Sequence, residues 1–167
     1  SRWMAARGGF EALVAAYGEE QTLQLTSALN QSAPLDVRVN TIKASKAEVV
    51  QAFEHAGIDA LPCEMAPLGL RLLKKPSLQK LDVFTSGAIE VQDEGSQLLT
   101  HLLGAKRGEM IADFCAGAGG KTLAIGAMMR NTGRLYAFDI AAHRLAKHKP
   151  RLARSGLSNV QTIPTDR

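Results

Sequence analysis

The chain has 167 residues, 46% of them hydrophobic and 22% charged, which leaves room for a core in one domain and a small second one. No apolar run approaches the ~20 residues that a membrane span needs, and no signal peptide opens the sequence. A soluble cytoplasmic protein is expected, with neither membrane nor metal among its partners. Its formal net charge of +4 is modest, so the informative feature is where the charges fall.

In chain order, residues 2–29 carry helical spacing. Phe10, Leu13, Val14 and Tyr17 make one stripe, broken at Gly18, and such a stripe reads as core rather than as a platform for stacking bases. Leu35 to Asn40 alternates apolar and polar residues like a half-buried strand. Ser45 with Glu48 is a capping box, opening a helix that Gly57 closes. Strand-like runs follow at Ile58 to Leu61, Leu70 to Leu73 and Ala88 to Gln92. Glu94 to Leu103 reads as a helix, and 104–108 as a turn. No internal repeat or long linker is present.

The most informative stretch is Met110 to Thr122. An apolar run ends in Asp113, a glycine-rich bend follows, and Leu123 to Arg130 favours helix. Strand, tight loop and helix N-terminus together let backbone approach a nucleotide-like ligand closely. A P-loop would need glycine at position 115, which is Cys115, and the dinucleotide pattern counted from Gly117 meets Thr122 where its third glycine belongs. The remaining pattern, a carboxylate and then Gly-x-Gly-Gly, suits a cofactor without a pyrophosphate but with a cationic sulfonium centre and an amino-acid tail. S-adenosylmethionine is that cofactor. A second apolar run, Arg134 to Asp139, again ends in a carboxylate, 19 residues beyond Gly120. This matches the ribose-binding acid found about 20 residues after such loops. A third strand, Asn159 to Thr165, leads to Asp166, placed to meet the adenine edge.

The segment Asp113-Phe-Cys-Ala-Gly-Ala-Gly-Gly-Lys-Thr122 resembles the cofactor motif of the Sun/nucleolar-protein family of RNA cytosine-C5 methyltransferases, Asp-x-Cys-Ala-Ala-Pro-Gly-Gly-Lys-Thr. Pro34 to Thr41 is similar to the family's Leu-Arg-Val-Asn-Thr strand, and Gly87 to Leu98 to its Gln-Asp-x-x-Ser segment. Gly117-Ala118 replaces the usual Ala-Pro, which implies a less rigid loop. By this resemblance the cofactor contacts fall on Cys115, Ala116, Gly117, Ala118, Gly119, Gly120, Lys121, Asp139 and Asp166. Cys115 is expected to be buried and inert, and Lys121 to be either a contact or a solvated charge. The implied fold is α/β: a helical lead-in over 1–33, a small RNA-recognition-like module over 34–88, and over 89–167 the first half of a doubly wound, Rossmann-like methyltransferase sheet.

The resemblance also implies a cysteine thiolate that adds to carbon 6 of cytosine, a form of covalent catalysis. In the family that residue and a helper cysteine lie in Asp-Ala-Pro-Cys and Thr-Cys motifs, which this sequence does not contain. Cys63, in Leu-Pro-Cys-Glu, matches neither motif and reads as a packed or loop thiol. Two cysteines without an evident partner fit a reducing compartment. The chain therefore reads as the cofactor-binding part of a longer enzyme, inactive alone, acting on RNA and specifically ribosomal RNA. Residues 140–165 contain no acid but hold His143, Arg144, Lys147, His148, Lys149, Arg151 and Arg154, and a second basic cluster is Arg71, Lys74, Lys75 and Lys80. Both suit phosphate contacts, or are solvated faces, and Pro150 is expected to end or kink any continuous helix. The alternatives are a methyltransferase with a non-RNA substrate and an RNA-binding module without activity.

Overall fold

The computed structural model describes residues 7–165, and the chain divides into two compact units, 1–33 and 34–167. In the first, α1 (Arg7–Tyr17) and α2 (Glu19–Leu29) meet at Gly18, where the sequence broke the helical stripe. That stripe is not a core, because Phe10 and Tyr17 are exposed. Two short helices give each other one neighbour, which is too little to enclose a wide apolar face.

The second unit starts with an antiparallel sheet. Its strands are β1 (Leu35–Val39), β2 (Ala60–Pro62), β3 (Gly69–Leu72) and β4 (Ile89–Val91), in the order β2-β3-β1-β4. The helix α3 (Lys46–His55) packs on one face, where Val49 and Phe53 join Val37, Val39, Leu70, Leu72 and Ile89 in the core. The capping box forms as expected: the Glu48 N–H donates to Ser45 Oγ, and the Ser45 N–H donates to Glu48 Oε2. Two elements carry too little periodicity to be read from sequence, a one-turn 3₁₀ helix (Leu78–Lys80) and the short α4 (Asp82–Thr85).

The expectation of a half-buried β1 fails on its polar face. Asp36 and Arg38 are as buried as their apolar neighbours. Asp36 accepts two bonds from the Arg71 guanidinium, at 2.7 and 2.9 Å, and a third from the Glu94 N–H. Arg38 donates from Nε to Gln92 Oε1 at 2.8 Å. Paired in this way, charged side chains alternate along a strand that is covered on both faces.

After α5 (Glu94–Leu103), a parallel sheet runs in the order β5 (Met110–Asp113), β6 (Arg134–Asp139), β7 (Val160–Pro164). The connections are α6 (Gly120–Met128) and the pair α7 (Ala142–Ala146) and α8 (His148–Ser155). Successive parallel strands joined by helices are the expected first half of a doubly wound sheet. Pro150 does interrupt the helical run, which divides at Lys147 and leaves the proline in the first turn of α8, where its missing N–H costs no hydrogen bond. In α6 every residue from Thr122 to Ala127 is buried, as in a helix with neighbours all round. Among the described residues β5 pairs on one side only, with β6, while Met110 at its start and Phe114 just past its end are exposed. No helix among the described residues is long and apolar enough to cross a membrane.

Phe53 is 1% exposed at the centre of the first core. Phe53→Ala is expected to lower unfolding stability by about 3–5 kcal/mol through lost burial and the cavity left behind, read as a shifted midpoint in urea denaturation.

Candidate cofactor-binding site

Asp113 and Asp139 lie at the carboxyl ends of adjacent strands, since Asp113 is in register with Ala137 on β6. Ligands of open α/β sheets bind at that end. Between β5 and α6 the chain must turn sharply, and it does so through Gly117 at φ 55° and Gly119 at φ 89°, a region that residues with a Cβ rarely adopt. Space at these two positions is as restricted as conformation. A Cβ at 119 would lie 2.3 Å from the His148 ring, and one at 117 would lie 2.7 Å from Arg144 Nη2.

Hydrogen bonds fix both acids. Asp113 Oδ2 accepts from the Thr122 hydroxyl at 2.7 Å and Oδ1 from the Cys115 N–H at 3.2 Å, so the strand end is tied to the first turn of α6. Asp139 Oδ1 accepts from the Ala141 N–H and Oδ2 from the Gly117 N–H, each at 2.8 Å. The Ala141 N–H, then that of Gly117 and the Arg144 charge, hold the Asp139 carboxyl below the usual carboxylate range, against the opposing effect of burial. Arg144 Nη1 stands 3.5 Å from Asp139 Oδ2 with its side chain 55% exposed, so its hold on the acid is weak and readily exchanged for another donor.

The sequence-predicted residues separate under this geometry. Ala116 and Gly119 are buried in the bend, while Lys121 is exposed on the first turn of α6. Cys115 corrects the expectation of a buried thiol: it is exposed, because the chain leaves the sheet at Phe114 before turning inward at Ala116. Asp166 lies outside the described residues. Cys63 is half-buried, with Gly69 packed against its thiol. Burial, then the charges of Asp36 and Glu94, push that thiol's pKa up. Asp36, Cys63 and Glu94 bring ligand atoms within 4.8 Å of one another, but Arg71 pairs with both carboxylates and the thiol is held protonated, so this cluster is an ion-paired junction rather than a metal site.

Sequence reasoning missed the role of α8. The expected basic stripe over 144–154 is largely turned inward. Arg151 and Arg154 both pair with Glu90 on β4, Arg144 faces Asp139, and His148 is fully buried. The absence of any acid between 140 and 165 was the available signal, since buried arginines then need partners from elsewhere in the fold. Of the second cluster, Arg71 is consumed by Asp36 and Glu94, while Lys74, Lys75 and Lys80 are exposed.

A glycine-rich bend from a parallel strand into a helix, with acids ending neighbouring strands, defines a Rossmann-like cofactor-binding fold. Within that class the chain belongs to the RsmB/F methyltransferases. Residues 3–79 match a family described as the ferredoxin-like domain of RsmF/B-like methyltransferases, and residues 100–167 match the 16S rRNA methyltransferase RsmB/F family. Ribosomal RNA small subunit methyltransferase B of Yersinia enterocolitica is 35% identical over 135 residues, covering 81% of this chain and 31% of that protein. A methyltransferase homologue from Pyrococcus horikoshii superposes with a TM-score of 0.81 at 32% identity, covering 88% of this chain and 48% of the other. NSun6 from the same organism, solved with SFG, shares the fold at 19% identity (TM-score 0.87; 94% and 64% covered). The chain spans about a third of the length of the curated relatives it matches.

His148 supplies a pH test of this region. Neither ring nitrogen has a hydrogen-bond partner among the described residues. Burial first, then the nearby Arg151 charge, lowers its pKa from the ordinary 6.5, with Asp113 and Glu90 opposing. The unfolded chain therefore takes up the proton more readily, so stability is full above the ordinary value and falls as pH drops through the window below it. His148→Leu is expected to show a shallower decline in Tm than the parent between about pH 7 and about pH 5, measured by thermal denaturation in matched buffers.

Proposed function

We propose that this chain is the cofactor-binding part of an S-adenosylmethionine-dependent methyltransferase that modifies carbon 5 of cytosine in ribosomal RNA. The observation that carries the reading is the pair of strand-end acids flanking a bend too tight for side chains at 117 and 119. The residues fit the cofactor's chemistry. The first-turn N–H groups of α6 have no carbonyl partner inside the helix, and the Cβ-free surface of the bend admits close approach. Asp113 offers a carboxylate beside them for a cationic group. Asp139 still has lone pairs for ribose hydroxyls, reachable when the exposed Arg144 swings aside. Cys115, Ala116, Ala118, Gly120 and Lys121 would line the amino-acid end, and Asp166 would meet the adenine.

When bound, the cofactor supplies an electrophilic methyl group, and this chain's part is to bind and orient it. Neither Cys63, packed in the antiparallel module, nor Cys115, at the cofactor bend, lies in a motif of the nucleophile that cytosine-C5 chemistry requires. We place that nucleophile and its helper in sequence beyond the matched third of the protein. The exposed lysines at 74, 75 and 80 suit phosphate contacts on the RNA. The RsmB/F family, with relatives named as rRNA methyltransferases, supports ribosomal RNA as the substrate.

Titration calorimetry on the intact protein is expected to show micromolar binding of S-adenosylmethionine. Gly119→Asp, combining a disfavoured φ with a clash against His148, is expected to weaken it by roughly a hundredfold or more. Absence of binding to the parent protein would remove the cofactor reading. Nucleoside mass spectrometry of ribosomal RNA treated with the intact protein tests the base: 5-methylcytidine is expected, and methylation of another nucleoside would overturn the cytosine assignment.

A further inference from the structure

We propose that Glu90 and Arg151 are positioning residues that set the cofactor bend from the ferredoxin-like sheet, so that affinity for the cofactor depends on a module that does not touch it. The inference rests on the cofactor reading above.

The chain of contacts is short. Glu90 sits on β4 opposite Arg38 and is 5% exposed. Its Oε2 accepts from Arg151 Nε at 3.1 Å, and its Oε1 pairs with Arg154. The same Arg151 guanidinium donates from Nη1 to the Ala118 carbonyl at 2.9 Å. Ala118 is the residue between the two positive-φ glycines, at the apex of the bend. One planar, always-charged group thus spans from a sheet carboxylate to the loop, a use that depends on the fixed fork of arginine.

Further contacts hold α8 in the same place. Asn40 Nδ2, at the end of β1, donates to the Gly87 and Ser155 carbonyls, each at 2.9 Å. The Arg154 guanidinium lies 4.1 Å from the Phe84 ring centroid. At the other end of α8, His148 occupies the space beside Gly119. The run Ala116-Gly117-Ala118-Gly119-Gly120 has three glycines in five residues and little conformational preference of its own, so its shape must be imposed from outside. Arg38, buried beneath with its pKa lowered to about 10 by burial, adds a third guanidinium around the single Glu90 carboxylate. Glu90 therefore cannot be neutralised without releasing Arg151.

The test uses the intact protein and two readouts: hydrogen–deuterium exchange of the peptide 114–123 without cofactor, and S-adenosylmethionine binding by calorimetry. Arg151→Gln is expected to raise exchange across 114–123 and weaken cofactor binding about tenfold, the scale of one charged hydrogen bond, while exchange over 148–155 stays as in the parent. Arg151→Lys, which keeps the charge and reaches one partner, is expected to recover part of both losses. Glu90→Gln is expected to shift both readouts in the same direction, and the double variant to be no worse than Arg151→Gln alone. If Glu90→Gln does not fold, the two Arg151 variants decide. Unchanged loop exchange in Arg151→Gln, or raised exchange with unchanged affinity, would overturn the proposal. If the parent protein fails to bind cofactor, the function reading falls, while loop exchange still shows whether Arg151 orders the bend.

Discussion

The structure turns on a lack of room at residue 119. The chain has to pass from the end of β5 to the start of α6 under the first residue of α8, and the His148 ring stands where any side chain would go. That single contact fixes a left-handed glycine, brings α8 down onto the loop, and buries an imidazole with neither nitrogen satisfied among the described residues. An unpartnered buried imidazole costs free energy, and it persists because the packing around it leaves no alternative. Local strain of this kind collects where a backbone must be presented to a ligand.

Around that contact the fold distributes its charges inward. Glu90 receives Arg151 and Arg154, Asp36 receives Arg71, and Asp139 receives backbone N–H groups with Arg144 at its rim. Buried pairs of this sort are weak evidence for stability, since desolvation offsets most of the attraction. They do specify geometry, because each charge can be satisfied by only one arrangement of its neighbours. The antiparallel and parallel sheets of the second unit are joined in this way, by directional polar contacts rather than by one continuous apolar core, and the buried apolar residues form separate clusters.

Where sequence periodicity and local chemistry agree, the elements were legible. The capping box at Ser45, the strand ending at Asp139 and the bend after Asp113 need only local rules, and the structure places them within a residue or two of the expected limits. Legibility failed where a residue's environment comes from distant partners. The alternation along β1 reads as one wet face, yet Arg71 and Gln92, far along the chain, close over it. The basic run 144–154 reads as surface, but its arginines are claimed by a glutamate about sixty residues earlier. The apolar stripe on α1 reads as core, although its unit is too small to bury it. Cys115 looks like a packed thiol by residue type, and the path of the backbone at Phe114 decides otherwise. At the site itself, the bend and its two acids were readable from spacing, whereas the clamp on Ala118 was not, because no local pattern marks an arginine that donates to a loop thirty-three residues away.

The one-sided pairing of β5 also bears on how this stretch of chain behaves in solution. A parallel strand with an unpaired row of N–H and C=O groups is a template for any other extended backbone, and the exposed Met110 and Phe114 at its two ends add adhesive apolar surface. The Phe114 ring is stacked on Phe138 at 5.1 Å, which holds it in place as a preformed flat shelf. Handled as an isolated polypeptide, Ser1–Arg167 would self-associate along this edge as concentration rises. Its colloidal behaviour would then be governed by one strand of four residues, well away from the residues that give the protein its chemistry.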